Sequence, residues 1–387
     1  MVTWKSFIFY LAIIAFAVAF LIIGNSVAGA DDAIFYDDTS QTVVAVVERI
    51  VGVFESDFEW AQERFLVFEA AITEGELRGE TVTAEQDVDD FMGIQTREVA
   101  EGDRVILVSF EPDVWYFVDF VRINQIWVLG AIFIVLMLLF GRAKGFSAIL
   151  SLGFTCAAVF TVFIPAILSG RNIYLTSVIV CFYSIIVTIF IINGINRKSL
   201  AAITGCFGGV LAAAVLTLIM NHTLQLTGII STDSISLLLL PLEEPIDLRA
   251  LIFAGIIIGA VGAVMDVAVS ISSALWELRS QAPDSSFGVI FKSGINIGKD
   301  VMASMTNTLV LAYIGSSLTL ILLLIVHVGT LTDLFNSELV IVELLQAIIG
   351  SMGILLAMPL TALVCAALFS RKQKAGGEAA DSPADDI

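Results

Sequence analysis

Read for the alternation of hydrophobic and polar positions, the chain is a series of long apolar runs joined by short polar ones. A helix needs about 20 apolar residues to cross the hydrocarbon layer. Eight runs meet or approach that length: residues 7–28, 126–140, 146–168, 173–192, 200–220, 251–272, 301–326 and 340–369. The second is short and would have to begin within the aromatic stretch 115–120, and the last calls for tilt or an interfacial end. Between the first two runs the pattern changes. Residues 64–72, 104–110 and 113–120 are rich in β-branched and aromatic side chains, and Glu101-Gly102-Asp103 offers a turn, which predicts strands and a small barrel. Residues 41–60 read equally as a strand or an amphipathic helix, because short apolar runs do not separate the two.

The expected fold is an α-helical polytopic membrane protein of about eight transmembrane helices with a small β-rich extracytoplasmic domain. Its parts are an N-terminal anchor (1–30), an acidic outer domain (31–124), a seven-helix bundle (125–370) and a polar, disordered cytoplasmic tail (371–387).

Composition agrees. The chain is 58% hydrophobic and 15% charged with a mean hydropathy of +0.95, against roughly half apolar and a quarter charged in soluble domains. The net charge of −19 would repel phosphate backbones, so no nucleic-acid partner is expected. That charge is local: residues 31–124 hold 23 acidic and 6 basic side chains, and the remainder is nearly neutral. Cys156, Cys181, Cys206 and Cys365 all fall in apolar runs, where thiols behave as small hydrophobes. No disulfide or zinc spacing is present.

Basic residues in short loops mark the cytoplasmic side. Lys5, Arg142, Lys144, Arg197, Lys198, Arg279, Lys292, Lys299, Arg371, Lys372 and Lys374 fall on one side of an eight-span scheme, with only Arg171 and Arg249 in the opposite short loops. Both termini are then cytoplasmic, and the acidic domain faces outward. Ala28-Gly29-Ala30 also fits a signal-peptidase site. The first run is therefore either a retained span or a cleaved leader, and cleavage would leave seven spans with every later loop on the same side.

Asp266 is the acid well inside a run, and an ionisable group there costs about 2.5–3.5 kcal/mol on insertion scales. At 1.5 Å per residue it lies about 10 Å from the cytoplasmic boundary. Gly255, Gly259, Gly262, Asp266, Ser270 and Ser273 recur every three or four residues and share one helix face, which permits close helix contact. The next run carries a comparable face, Asp300, Ser304, Asn307, Leu311 and Gly315, flanked by Thr306 and Thr308, with Asn307 expected level with Asp266. Glu343, Gln346, Gly350, Gly353 and Ala357 form a third stripe. Two readings stand. In one the glycines, Gly350 and Gly353 included, are a packing seam and Asp266 a hydrogen-bonded structural acid. In the other, Asp266, Asn307, Thr306 and Thr308 form a proton relay or ion site.

Residues 273–299 are expected to form a cytoplasmic elbow, with Phe287, Ile290, Phe291, Gly294 and Ile295 lying at the interface. The segment 294–300 lacks the glycine spacing and the Ser or Thr of a phosphate loop. His222 and His327 stand alone near outer helix ends. No catalytic constellation, metal site or cofactor motif is found, so an enzyme is not expected.

The segments GAVGAVMD (259–266) continuing into VAVSISSALWEL, INIGKDVMASMTNTLVLAYIGSSL (295–318) and GSMGILLAMPLTA (350–362) resemble the bacterial YibE/F membrane family, and the resemblance extends over nearly the whole chain. It implies a multi-pass protein of the bacterial cytoplasmic membrane and supplies no reaction. A weaker similarity, a glycine-rich span with an intramembrane Asp, an elbow and a polar start to the next span, resembles Sec-associated export subunits and resistance-nodulation-division permeases. That similarity implies a proton-coupled role for Asp266, and a homo-oligomer or another membrane subunit to complete the usual pair of bundles. The leading expectation is a proton- or ion-coupled transporter or export accessory. The alternative is a non-transporting scaffold whose acidic domain binds an extracytoplasmic partner.

Overall fold

The computed structural model describes residues 4–29, 41–58, 61–88, 97–111, 114–242, 244–327 and 330–370. Two compact units emerge: Phe35–Phe140, and Met1–Ile34 together with Gly141–Ile387.

The first unit contains five strands, β1 (Gln41–Phe58), β2 (Ala61–Ile72), β3 (Thr81–Asp87), β4 (Arg104–Glu111) and β5 (Val114–Phe120). They close into a barrel in the order β1-β2-β3-β5-β4, antiparallel except where β3 meets β5 at Ala84↔Trp115 and Glu85↔Tyr116. Five-stranded barrels are typified by the OB fold. Phe68, Leu66, Ile72, Leu107 and Trp115 fill the interior. The residues open to either reading at 41–60 are strand as far as Phe58; Trp60 and Asp113 lie outside the described residues. Register shifts at Val47/Arg49 and Ile50/Gly52 interrupt the two-residue alternation of β1, which is why its pattern could pass for a helix. β3 gave no strong apolar signal, because its buried positions include Ala84 and Gln86. The Gln86 amide is satisfied there, accepting from the Val99 N–H and donating to the Arg97 carbonyl, each at 2.8 Å.

Helices make up the second unit and the end of the first: α1 (Trp4–Ala28), α2 (Ile123–Ala158), α3 (Ile164–Leu168), α4 (Ile173–Asn193), α5 (Arg197–Thr223), α6 (Thr232–Leu238), α7 (Leu248–Gln281), α8 (Phe287–Ser316), α9 (Leu318–His327), α10 (Leu331–Asn336) and α11 (Glu338–Phe369). Six helical stretches among the described residues are long and apolar enough to cross a membrane. One of them, Ile123–Leu168, takes in both the second and third apolar runs. It is broken at Arg142, whose φ of 47° is outside helical geometry, and contains a π-helical turn at Val159–Phe163 just before Pro165.

α1 packs into the bundle. Phe20 stacks on Tyr183 at 4.1 Å, the Tyr183 hydroxyl donates to the Ala17 carbonyl, and Arg171 and Ser169 donate to the carbonyls of Val27 and Ala28. At the same end of the bundle, the Glu338 carboxylate accepts from the N–H groups of Thr227 and Gly228 and from the Thr227 hydroxyl, at 2.6–2.8 Å, tying the loop after α5 to the start of α11.

The expected elbow and seventh run are corrected. α7 continues to Gln281 and α8 begins at Phe287, so the connection is residues 282–286 only. Phe287, Ile290, Phe291, Gly294 and Ile295 are the first turns of α8, and residues 294–300 are helix, not a loop. Ile290 is buried, and Gly294 and Gly298 let α8 approach Ala362 and Met358 of α11 and Leu275 and Ile271 of α7. The run 301–326 is not one helix. It breaks at Ser317, after Gly315 and Ser316, residues that favour helix ends over interiors. α9, with ten residues, is about 15 Å long and does not cross a bilayer alone.

Candidate functional site

α5, α7 and α11 pack through small residues. Gly209 faces Ala357, the Gly353 carbonyl and Val264, and Gly205 lies directly against Thr361. Gly350 sits against Leu309 and Tyr313 of α8, while Gly353 faces Val264 and Ala213. Val264, Val267, Ala268 and Ile271 of α7 are fully buried in this core.

The other face of α7 is open. Gly255, Gly259, Gly262, Asp266 and Ser270 do share a face, and all five are exposed. A Cβ added at Gly255 or Gly262 would meet nothing within 4 Å. Within one chain, then, these two glycines are not a packing seam, because the neighbouring helices take the branched apolar side of α7. Gly259 alone of the three has a close neighbour: a Cβ there would lie 2.6 Å from the Tyr313 hydroxyl and 3.5 Å from the Gln346 amide nitrogen.

Two contacts set the register between α7 and α8. Gly298 lies against Ile271 and Gly259 against Tyr313, so the helices are antiparallel, and Asp266 falls level with Ser304 to Thr306. Asn307 is less than a turn away. Ser304, Asn307 and Thr308 are exposed and Thr306 is half-buried. The Ser304 and Thr308 hydroxyls donate to carbonyls of their own helix, Val301 and Ser304. Among the described residues, the Asp266 carboxylate has no hydrogen-bond or ion-pair partner, and no bond joins it to Asn307, Thr306 or Thr308. The four residues thus lie at similar depth without forming a closed cluster.

Sequence reasoning missed Tyr313. Its hydroxyl is buried over Gly259 with Gln346 alongside, and half-buried Glu343 lies one turn earlier on α11. The available signal was spacing: Tyr313 follows Thr306 by seven residues and Gly259 precedes Asp266 by seven, so the two pairs repeat on matching faces. Tyr313 and Gln346 therefore stand about 10 Å along the helices from Asp266, toward the N-terminal end of α7. No group of three or more His, Cys, Asp or Glu side chains suited to a metal occurs among the described residues. Cys181, Cys206 and Cys365 are buried free thiols and Cys156 is exposed.

The YibE/F-like protein family model matches residues 129–371, well over half of the 387-residue chain. The chain belongs to the YibE/F-like family. The matched segment contains the whole of α4 to α11, and with them every residue of the stripes described above, whereas the barrel precedes it. No curated protein and no solved structure matches this YibE/F-like chain.

Proposed function

We propose that this YibE/F-like membrane protein is a proton- or ion-coupled transporter or export accessory, with Asp266 as the group that takes up and releases the ion. The observation that carries this reading is an Asp carboxylate without a partner on an exposed helix face at hydrocarbon depth. An ionisable side chain placed there is costly unless it has a use. Tyr313 and Gln346 on one side, and Ser304, Asn307 and Asp300 on the other, supply polar groups along α8 and α11 toward both ends of the bundle. Gaps of about 10 Å between them require water or side-chain movement for transfer.

Asp266→Asn keeps the shape but cannot exchange a proton. In a deletion strain it is expected to insert and fold yet lose activity, while Asp266→Glu keeps part of it. Full complementation by Asp266→Asn across a range of external pH would defeat the proposal.

The scaffold reading has an observation of its own. Val51, Val53, Phe54, Phe110, Tyr116 and Val118 are exposed apolar side chains on the barrel, and an extracytoplasmic partner would cover them. Full complementation by Asp266→Asn combined with loss of activity in Phe110→Asp/Tyr116→Asp would favour it.

For orientation, the proposal keeps eight crossings of the bacterial cytoplasmic membrane with both termini inside, supported by the concentration of Lys and Arg at Arg142, Lys144, Arg197, Lys198, Arg279 and Lys292. In a background with the native cysteines replaced, Asp233→Cys should react with an impermeant thiol reagent and Ser285→Cys only after permeabilisation. The opposite result reverses the orientation.

A further inference from the structure

At the end of the membrane unit where α4 turns into α5, a cavity of about 510 Å³ opens between that turn, α1 and the part of α2 after Arg142. Its polar wall consists of Lys144 and Ser147 from α2 and Asn193, Asn196 and Lys198 from the α4–α5 turn; Phe9, Tyr10 and Ile192 supply apolar wall. The turn is a fixed framework. Gly194 holds a φ of +73°, open to glycine at little cost, and the Asn196 side chain accepts from the Ser199 N–H and hydroxyl while donating to the Asn193 carbonyl.

The remaining donors are unused. Among the described residues, neither Lys144 nor Lys198 has a carboxylate within ion-pair distance, and neither the Ser147 hydroxyl nor the Asn193 side-chain amide makes a hydrogen bond. Two ammonium groups, a hydroxyl and an amide thus line one cavity without an acid to balance them, beside an apolar wall continuous with the bundle surface. An anion with several acceptor oxygens and an attached hydrocarbon chain satisfies both walls at once. Basic pockets between transmembrane helices bind phospholipid headgroups in this way.

We propose that this cavity is a binding site for the phosphate headgroup of an anionic membrane phospholipid, with Lys144 and Lys198 neutralising the phosphate, Ser147 and Asn193 donating to it, and the acyl chains descending past Phe9 and Ile192.

The test is native mass spectrometry of the full chain in detergent, titrated with dioleoyl-phosphatidylglycerol and separately with dioleoyl-phosphatidylcholine. The first phosphatidylglycerol should bind more tightly than the first phosphatidylcholine. Lys144→Gln/Lys198→Gln should lose that preference, by about fivefold per lysine removed. Lys144→Arg/Lys198→Arg should keep it, and so should Lys292→Gln/Lys299→Gln, which removes the same charge outside the cavity. Ser147→Trp fills the cavity at constant charge and should abolish the preference, so a folding defect in the Gln variant does not decide the matter. Equal affinity for the two lipids in the wild-type chain, or an undiminished preference in Ser147→Trp, overturns the proposal. Displacement of phosphatidylglycerol by inorganic phosphate also overturns it, since the ligand would then be a soluble anion.

Discussion

Two sets of glycines, one on α5 and one on α7, have opposite surroundings. Gly205, Gly208 and Gly209 on α5 are pressed against Thr361, Leu360 and Ala357 of α11, whereas Gly255 and Gly262 on α7 face open space. Small residues three or four apart establish a shared face and the capacity for close approach. They do not establish what approaches. The tight stripe belongs to a helix whose neighbour offers equally small side chains at matching heights, Gly353, Ala357 and Thr361; the open one carries an acid in their midst.

The largest expected effect separates the two stripes directly. At Gly209 a Cβ would stand 2.7 Å from the Ala357 Cβ and 2.9 Å from the Gly353 carbonyl oxygen, and backbone cannot swing aside as a flexible side chain can. Gly209→Leu should fail to give a monodisperse protein in detergent. Gly209→Ala should lower stability by about 1–3 kcal/mol, read as a fall in the thermal midpoint. Gly262→Ala should leave the midpoint unchanged, because nothing lies within 4 Å of its Cβ. If Gly262→Ala proves as damaging as Gly209→Ala, the open stripe is covered in the membrane by a second copy or another subunit.

The second effect compares the two faces of α7 with opposite changes in polarity. Val264 is fully buried between α5 and α11, and Asp266 is exposed two residues away. Val264→Asp buries an unpartnered carboxyl and should cost several kcal/mol, enough to abolish folded protein. Asp266→Leu removes an acid that has no partner within the described chain, so it should insert and melt like the wild type while losing activity. A large loss of stability in Asp266→Leu would make Asp266 a structural acid, and would sink the ion-coupling proposal on physical grounds before any transport assay.

Much of this architecture was legible from hydropathy and spacing. Apolar length located α4, α5, α7 and α11 but not the short α6, and three- and four-residue spacing found the small-residue faces of α7 and α11 but not the glycines of α5. The barrel was read from its aromatic strands, while β1 stayed open between two readings because its bulges break the alternation. The break at Ser317 was not legible, since average hydropathy passes smoothly from α8 into α9; the glycine and serines at 315–317 were the local sign. At the site, the placing of Asp266 level with the neighbourhood of Thr306 and Asn307 followed from counting along helices. The openness of its face did not, because cover depends on which side of α7 its neighbours take. Tyr313 was missed for the same reason: its importance comes from the contact with Gly259 on another helix.

The smallest expected effect sharpens the comparison at Gly259, where the open stripe touches another helix. A Cβ there would meet the Tyr313 hydroxyl at 2.6 Å, but the obstructing atom is the tip of a side chain that can rotate away. Gly259→Ala should therefore cost about 1 kcal/mol, at the low end for overpacking. Tyr313→Phe removes the hydroxyl and opens that space, so Gly259→Ala should be nearly neutral in the Tyr313→Phe background. A double-mutant cycle would then give a coupling of about 0.5–1 kcal/mol, as expected for residues in contact. The Gly262→Ala and Tyr313→Phe pair should show none, since Gly262 has no neighbour within 4 Å of an added Cβ. If the cycle at Gly259 is additive instead, Tyr313 does not rest on α7 in the membrane-embedded protein. The register that sets Asp266 level with Thr306 would then lose one of its two anchors.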